Sequence, residues 1–187
     1  MKDFIFVVFN SKKTVFTVQD IAILLGETGL QNLKAKVHYY VKKGVLRALR
    51  RGVYVKPEYD KLELATRIYT PSYISLETVL AKEGLIHQYY DTIFAVSYLT
   101  RDIKAGDVNI SYRKIRHSIL LRSEGMETAG GYAAASKERA FLDTLYLYKR
   151  YSFDRLDGLD RKKLNKILPI YGSKALEKRV KEMLADA

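Results

Sequence analysis

The stretch KKGVLRALRRGVYV, Lys42 to Val55, sets seven basic or glycine residues around two short apolar runs. Alternation over Val45, Leu46, Arg47, Ala48 and Leu49, and again over Val53, Tyr54 and Val55, predicts two strands. Arg50, Arg51 and Gly52 would join them, because glycine accepts the positive φ that a tight hairpin needs. A two-stranded ribbon is marginal alone in water, so this hairpin has to lean on another element. Its expected inner side is Val45, Leu49, Val53 and Val55, packed on helices, which leaves Arg47, Arg50 and Arg51 facing outward at the tip.

What precedes the hairpin reads as helical. Phe4 to Phe9 is a short helix-compatible apolar run. Thr17 is placed to cap VQDIAILLG, which ends at Gly26 and carries Asp20 in its first turn. After Glu27, Thr28 and Gly29, the stretch LQNLKAKVHYYVKK repeats Leu30, Leu33, Val37, Tyr40 and Val41 at helical spacing, and Gly44 closes it. Helix, short strand, helix, tight turn, helix and basic hairpin is the layout of a winged helix-turn-helix, whose second paired helix enters the major groove of DNA.

On that helix Gln31, Asn32, Lys36, Tyr39 and Lys42 fall opposite the apolar stripe, with Lys34 and His38 at its margins. Gln and Asn pair with adenine bidentately, whereas Lys and Arg anchor on phosphate. The expected DNA contacts are therefore Gln31, Asn32, Lys34, Lys36, Tyr39, Lys42, Arg47, Arg50 and Arg51. A solvated helix face in any basic protein carries similar lysines, and some winged domains touch only protein. The ordered run of elements weighs toward DNA.

Charge is distributed to match. The 187-residue chain carries a formal net charge of +12. Residues 1–57 hold 11 Lys and Arg against 3 Asp and Glu, net +8, and residues 58–187 hold 22 against 18, net +4. Such an excess favours polyanionic partners, duplex DNA first. There are no cysteines, which excludes a disulfide scaffold and thiolate metal sites. The run Phe4 to Phe9 is too short for a signal peptide or a bilayer span, so a cytoplasmic protein without a membrane partner is expected.

Beyond Pro57 the pattern predicts an α+β domain over 58–187 with a small antiparallel sheet and C-terminal helices. Helices are expected around Lys61 to Tyr69 and Ile74 to Glu83, and strands at Thr92 to Leu99, Asp107 to Ile115, Ser118 to Leu121 and Tyr132 to Ala134. A helix capped by Ser136 would bury Phe141, Leu142, Leu145 and Tyr148, and two amphipathic helices would follow, Asp160 to Ile170 and Ser173 to Leu184. Tyr146, Tyr148 and Tyr151 read as core aromatics before partner contacts.

Catalytic signatures are sparse. His38, His87 and His117 are far apart in sequence, and phosphate-loop, GxGxxG and GxSxG patterns are absent. No enzyme activity, cofactor or metal is expected. A metal-dependent nuclease built on dispersed acids such as Asp91, Asp102 and Asp107 is the enzymatic alternative.

Five stretches in order carry a resemblance: RRGVYVKP (50–57), YISLETVLAKEGLI (73–86), IFAVSYLT (93–100), ISYRKI (110–115) and AASKERAFLD (134–143). Together they resemble the AbiEi antitoxin family of abortive-infection AbiE systems. The resemblance implies a type IV antitoxin encoded beside a nucleotidyltransferase-like toxin, with a winged domain that represses the shared promoter at an inverted-repeat operator, as monomer or dimer, and a second domain that counters the toxin. It implies no catalytic role for Ser75, Glu77, Arg113, Glu138, Arg139 or Asp143, and Glu138 reads first as an acid in a helix's first turn. A stand-alone winged-helix regulator without a toxin is the other reading.

Overall fold

The computed structural model describes residues 3–185 and is a mixed α+β protein with two sheets. Helix α1 (Phe4–Asn10), strand β1 (Val15–Phe16), helix α2 (Val18–Leu25) and helix α3 (Leu30–Lys42) precede the hairpin β2 (Arg47–Arg50) and β3 (Val53–Val55). The order matches the sequence reading. Thr17 caps α2 in a full capping box with Asp20, and Gly26 ends it at φ 72°. Arg51 and Gly52 form the hairpin turn, Gly52 at φ 82°.

Strand β1 pairs antiparallel with β3, giving a three-stranded sheet in the order β1-β3-β2. Both of its faces are covered. Phe16 and Leu46 are buried among Phe4, Val8, Ile21, Leu33 and Val37 of the three helices. Val15, Val53 and Val55 point the other way, into the core of the rest of the chain beside Leu64 and Ala65. The expected inner side was therefore assigned to the wrong layer: Val53 and Val55 are buried, but not on the helices. A bulge between Ala48 and Arg50 turns Leu49 to that same second layer, where it packs at Gly106.

Helix α4 (Lys61–Ile68) joins the two parts. Its Glu63, 0% exposed, accepts from both the N–H (2.8 Å) and the hydroxyl (2.7 Å) of Thr14. Thr14 Oγ1 in turn accepts from the Asp60 N–H at 2.9 Å, and Arg67 reaches Asp20 at 3.5 Å.

The larger sheet has six strands in the order β6-β7-β5-β4-β9-β8. These are β4 (Ser72–Ile74), β5 (Thr92–Ser97), β6 (Arg101–Ala105), β7 (Val108–Lys114), β8 (Met126–Ala129) and β9 (Tyr132–Ala135). The sheet is mixed, not antiparallel as expected, because β5 runs parallel to β7 and β4 parallel to β9. Helix α5 (Glu77–Lys82) starts later than predicted, since Tyr73 and Ile74 are spent on β4. Ser118 to Leu121, predicted as a strand, lies in helix α6 (His117–Leu120) and its C-cap. Four apolar or small residues in a row have no period that separates the two choices.

Helix α7 (Lys137–Leu147), capped by Ser136, packs against β9, α5, α8 (Arg161–Ile167) and α9 (Lys174–Ala185), with a 3-10 turn, Leu168–Tyr171, after α8. Its Asp143 is fully buried and accepts from Tyr171 (2.7 Å), Ser75 (2.8 Å) and Tyr73 (3.0 Å). Arg139, one turn earlier and equally buried, donates to the Tyr73 hydroxyl and to the carbonyls of Ile119, Arg122 and Glu124. Glu138 lies in the first turn as read, but is buried. Tyr146 packs on Tyr171, and Tyr148 stacks on Tyr151.

Two measurements follow from this packing. Asp143→Ala strands three buried hydroxyls. At about 1–3 kcal/mol per unsatisfied group, stability should drop by at least about 3 kcal/mol, read as a lower urea midpoint. A fragment ending at Pro57 uncovers Val15, Val53 and Val55, whose burial contributes about 1.5–3 kcal/mol each. That deficit is comparable with the about 5–15 kcal/mol of a whole domain, so the fragment should show no cooperative thermal transition.

Candidate nucleic-acid interface

Helix α3 buries Leu33 and Val37 against α1 and α2, while Tyr40 and Val41 are half-buried at its flanks. At about 100° per residue the opposite direction is held by positions 31, 35, 38 and 42, with 34 and 39 on either side. Gln31, Asn32, Lys34, His38, Tyr39 and Lys42 are accordingly exposed, Tyr39 by 54%. Lys43, not among the expected contacts, is exposed beside them and lies over the Tyr39 ring at 5.8 Å.

Lys36 departs from expectation. Three residues from Leu33, it falls about 60° from the buried stripe rather than opposite it. Its ammonium bonds Glu27 at 3.3 Å and sits 5.8 Å above the Phe4 ring. That side chain braces the turn between α2 and α3 against α1.

The hairpin tip also differs from its reading. Arg50 is half-buried, donates to the Tyr69 hydroxyl at 3.1 Å and lies 5.4 Å over the Tyr69 ring. Arg47 is exposed yet lies 5.9 Å over Tyr59. Both arginines stand opposite β3 residues whose side chains face the second layer, Arg47 across from Val55 and Arg50 across from Val53. Cross-strand partners share a face, so the two guanidiniums are drawn toward the tyrosines there. Arg51, in the turn, is exposed. Tyr59 and Tyr69 are the residues that the sequence reading missed, and no spacing rule links them to arginines 12 and 19 residues upstream.

The hairpin is fastened to the recognition-candidate helix. The N–H groups of Val45 and Leu46 both donate to the Tyr40 carbonyl, at 3.0 and 3.4 Å. Four cations of the expected set are exposed: Lys34, Lys42, Arg47 and Arg51. Lys56, close by in sequence, is instead turned inward to the carbonyls of Ser11 and Phe9.

Other chemistry is thin. Among the described residues no group of three His, Asp or Glu side chains is placed to hold a metal. Asp102 is taken by Arg113 and Ser111, and Asp107 by Lys61 and Tyr59. The three histidines are exposed on separate elements. No described helix is long and apolar enough to cross a membrane. No family model matches the chain, and no curated protein matches it.

Burial alone would raise Asp20, but Lys13, the Thr17 N–H and hydroxyl, and Arg67 together hold it below its ordinary value of 3.8. A carboxylate with a lowered folded pKa adds stability above its unfolded pKa and loses it as the pH falls through the folded value. Asp20→Asn should therefore destabilise the protein at pH 7 but bring little change near pH 2, where the parent has lost the same contribution. Urea unfolding at the two pH values measures this.

Proposed function

We propose that the protein is a DNA-binding antitoxin of AbiE type that represses its own promoter, with α1–α3 and the β1-β3-β2 sheet acting as a winged helix-turn-helix. The observation that carries the DNA-binding part is the solvent face of α3, where Gln31 and Asn32 sit exposed among Lys34, Lys42 and Lys43. In this reading α3 enters the major groove, Gln31 and Asn32 read base edges, and Lys34, Lys42, Arg47 and Arg51 meet phosphate. Lys36 braces the head, and Arg50 ties it to Tyr69 at the end of α4, instead of touching DNA.

The antitoxin part is supported by the resemblance of the five ordered stretches. Four of them form β4 with α5, β5, β7 and β9 with α7, and two of these supply Tyr73, Ser75, Arg139 and Asp143 of the buried network. A family that preserves such stretches preserves a fold, which is consistent with an effector body that acts through its surface.

Four phosphate contacts per protomer give a slope of log affinity against log salt of about −3.6, and about −7 for two protomers on an inverted repeat. Fluorescence anisotropy on the DNA upstream of the gene reads it, and a slope near zero would sink the reading. Gln31→Ala or Asn32→Ala should cost about 1–3 kcal/mol on that DNA only, while Arg51→Ala weakens any duplex. Lys34→Glu with Arg51→Glu in the full chain should lose repression yet still protect cells that express a nucleotidyltransferase encoded beside it. Absence of such a neighbour would leave a stand-alone regulator.

A further inference from the structure

A cleft of about 320 Å³ opens between α5, the loop before β5 and the β6–β7 turn, far in sequence from the basic head. Its floor is Glu77, the first residue of α5, which is only 7% exposed. One carboxylate oxygen of Glu77, Oε2, is buried without a hydrogen-bond partner. A buried acceptor left open is costly, and native folds seldom keep one without use.

The walls and rim define what would satisfy it. Asp91, Asp107 and Lys61 line the cleft with Glu77, so three carboxylates face one ammonium in a chain of net charge +12. Lys61 is held to Asp107 at 3.3 Å, which leaves Glu77 and Asp91 unbalanced inside the cleft. Arg113, the cation that acts on Glu77 from β7, donates to Asp102 at 2.8 Å, and the Tyr151 hydroxyl is the side-chain donor turned toward Glu77. Two tyrosines stand at the rim: Tyr90, and Tyr89, which is 86% exposed. Anions are repelled by this set. A metal ion lacks a grouped donor set among the described residues. An organic cation fits this set, since the Glu77 and Asp91 carboxylates attract its charge while its methylenes can lie against the tyrosines of the rim.

We propose that this cleft binds an arginine or lysine side chain, a guanidinium or alkylammonium head on an aliphatic stem, presented by a partner protein. The backbone supports such a use. Leu76, immediately before Glu77, is fully buried at φ 55°, a conformation that costs a leucine free energy and that fixes the strand-to-helix turn on which Glu77 is carried. Burial, the first of its causes, also raises the pKa of Glu77 above the ordinary 4.5, and a bound cation would relieve that cost. This site is independent of the DNA-binding reading and stands or falls separately.

Amide chemical shifts of the full-length protein, followed on titration with N-acetyl-arginine amide, N-acetyl-lysine amide, spermidine and the neutral N-acetyl-norleucine amide, test it. The capped cations should move the signals of Thr78, Asp91, Thr92 and Val108 with saturation. Glu77→Gln should weaken that response about tenfold or more, as expected for loss of a charge-assisted bond. Tyr89→Ala and Asp91→Asn, both at exposed positions, should weaken it without disturbing the rest of the spectrum. A response to spermidine alone keeps the cation site but assigns it to a free polyamine rather than a protein side chain. An equal response to the norleucine amide, no response to any cation, or undiminished binding in Tyr89→Ala and Asp91→Asn would overturn the proposal.

Discussion

The carboxylate of Glu63 sets the relation between the two halves of this chain. It is fully buried, and both donors of Thr14, backbone and side chain, end on one of its oxygens. Because Thr14 leads directly into β1, that contact fixes the edge of the small sheet, and through β3 it fixes the hairpin. A buried carboxylate is tolerated only where donors are aimed at it, so α4 and β1 have to meet in one register. Arg67 on Asp20 and Tyr69 beneath Arg50 repeat the attachment along the same helix and the residue after it. The basic surface is thereby held rigidly against the larger body rather than tethered to it.

The larger body has its own organising group. Asp143 collects hydroxyls from β4 and from the 3-10 turn after α8, and Arg139 gathers carbonyls from α6 and the loop that follows. Burial pushes Asp143 upward and Arg139 with the three hydroxyls opposes it, so the network balances desolvation against close polar contacts. A core of leucines alone would fill the same volume, but it would not specify which strand end meets which helix turn.

Much of the head was legible because its signals are local. The capping box at Thr17, the left-handed Gly26 and the two-residue turn at Gly52 each follow from a few adjacent residues. What alternation could not tell was that both faces of the small sheet are covered: Val53, Val55 and Tyr54 alternate equally well whichever layer takes the valines. The same blindness misplaced Lys36 and Arg50, whose partners Phe4 and Tyr69 lie 32 and 19 residues away. In the second half, β4 and α6 were misread where short apolar runs carry no period, and β6 and β8 escaped notice, the exposed Arg101, Asp102 and Lys104 hiding the former. The parallel pairing of β4 with β9 was out of reach, since it joins Ile74 and Ala134 across 60 residues.

That pairing also imposes an order on synthesis. The helices of the head touch one another within about forty residues, and such local contacts close quickly. Strand β4 waits longer, for its neighbours β5 and β9 and for Asp143 lie up to 70 residues downstream. While the ribosome is still delivering β5 to α7, the valine side of the small sheet has nothing complete to rest against. A nascent chain in that interval exposes apolar surface and an unpaired strand edge, and it gains its final form only when α7 has emerged and docked.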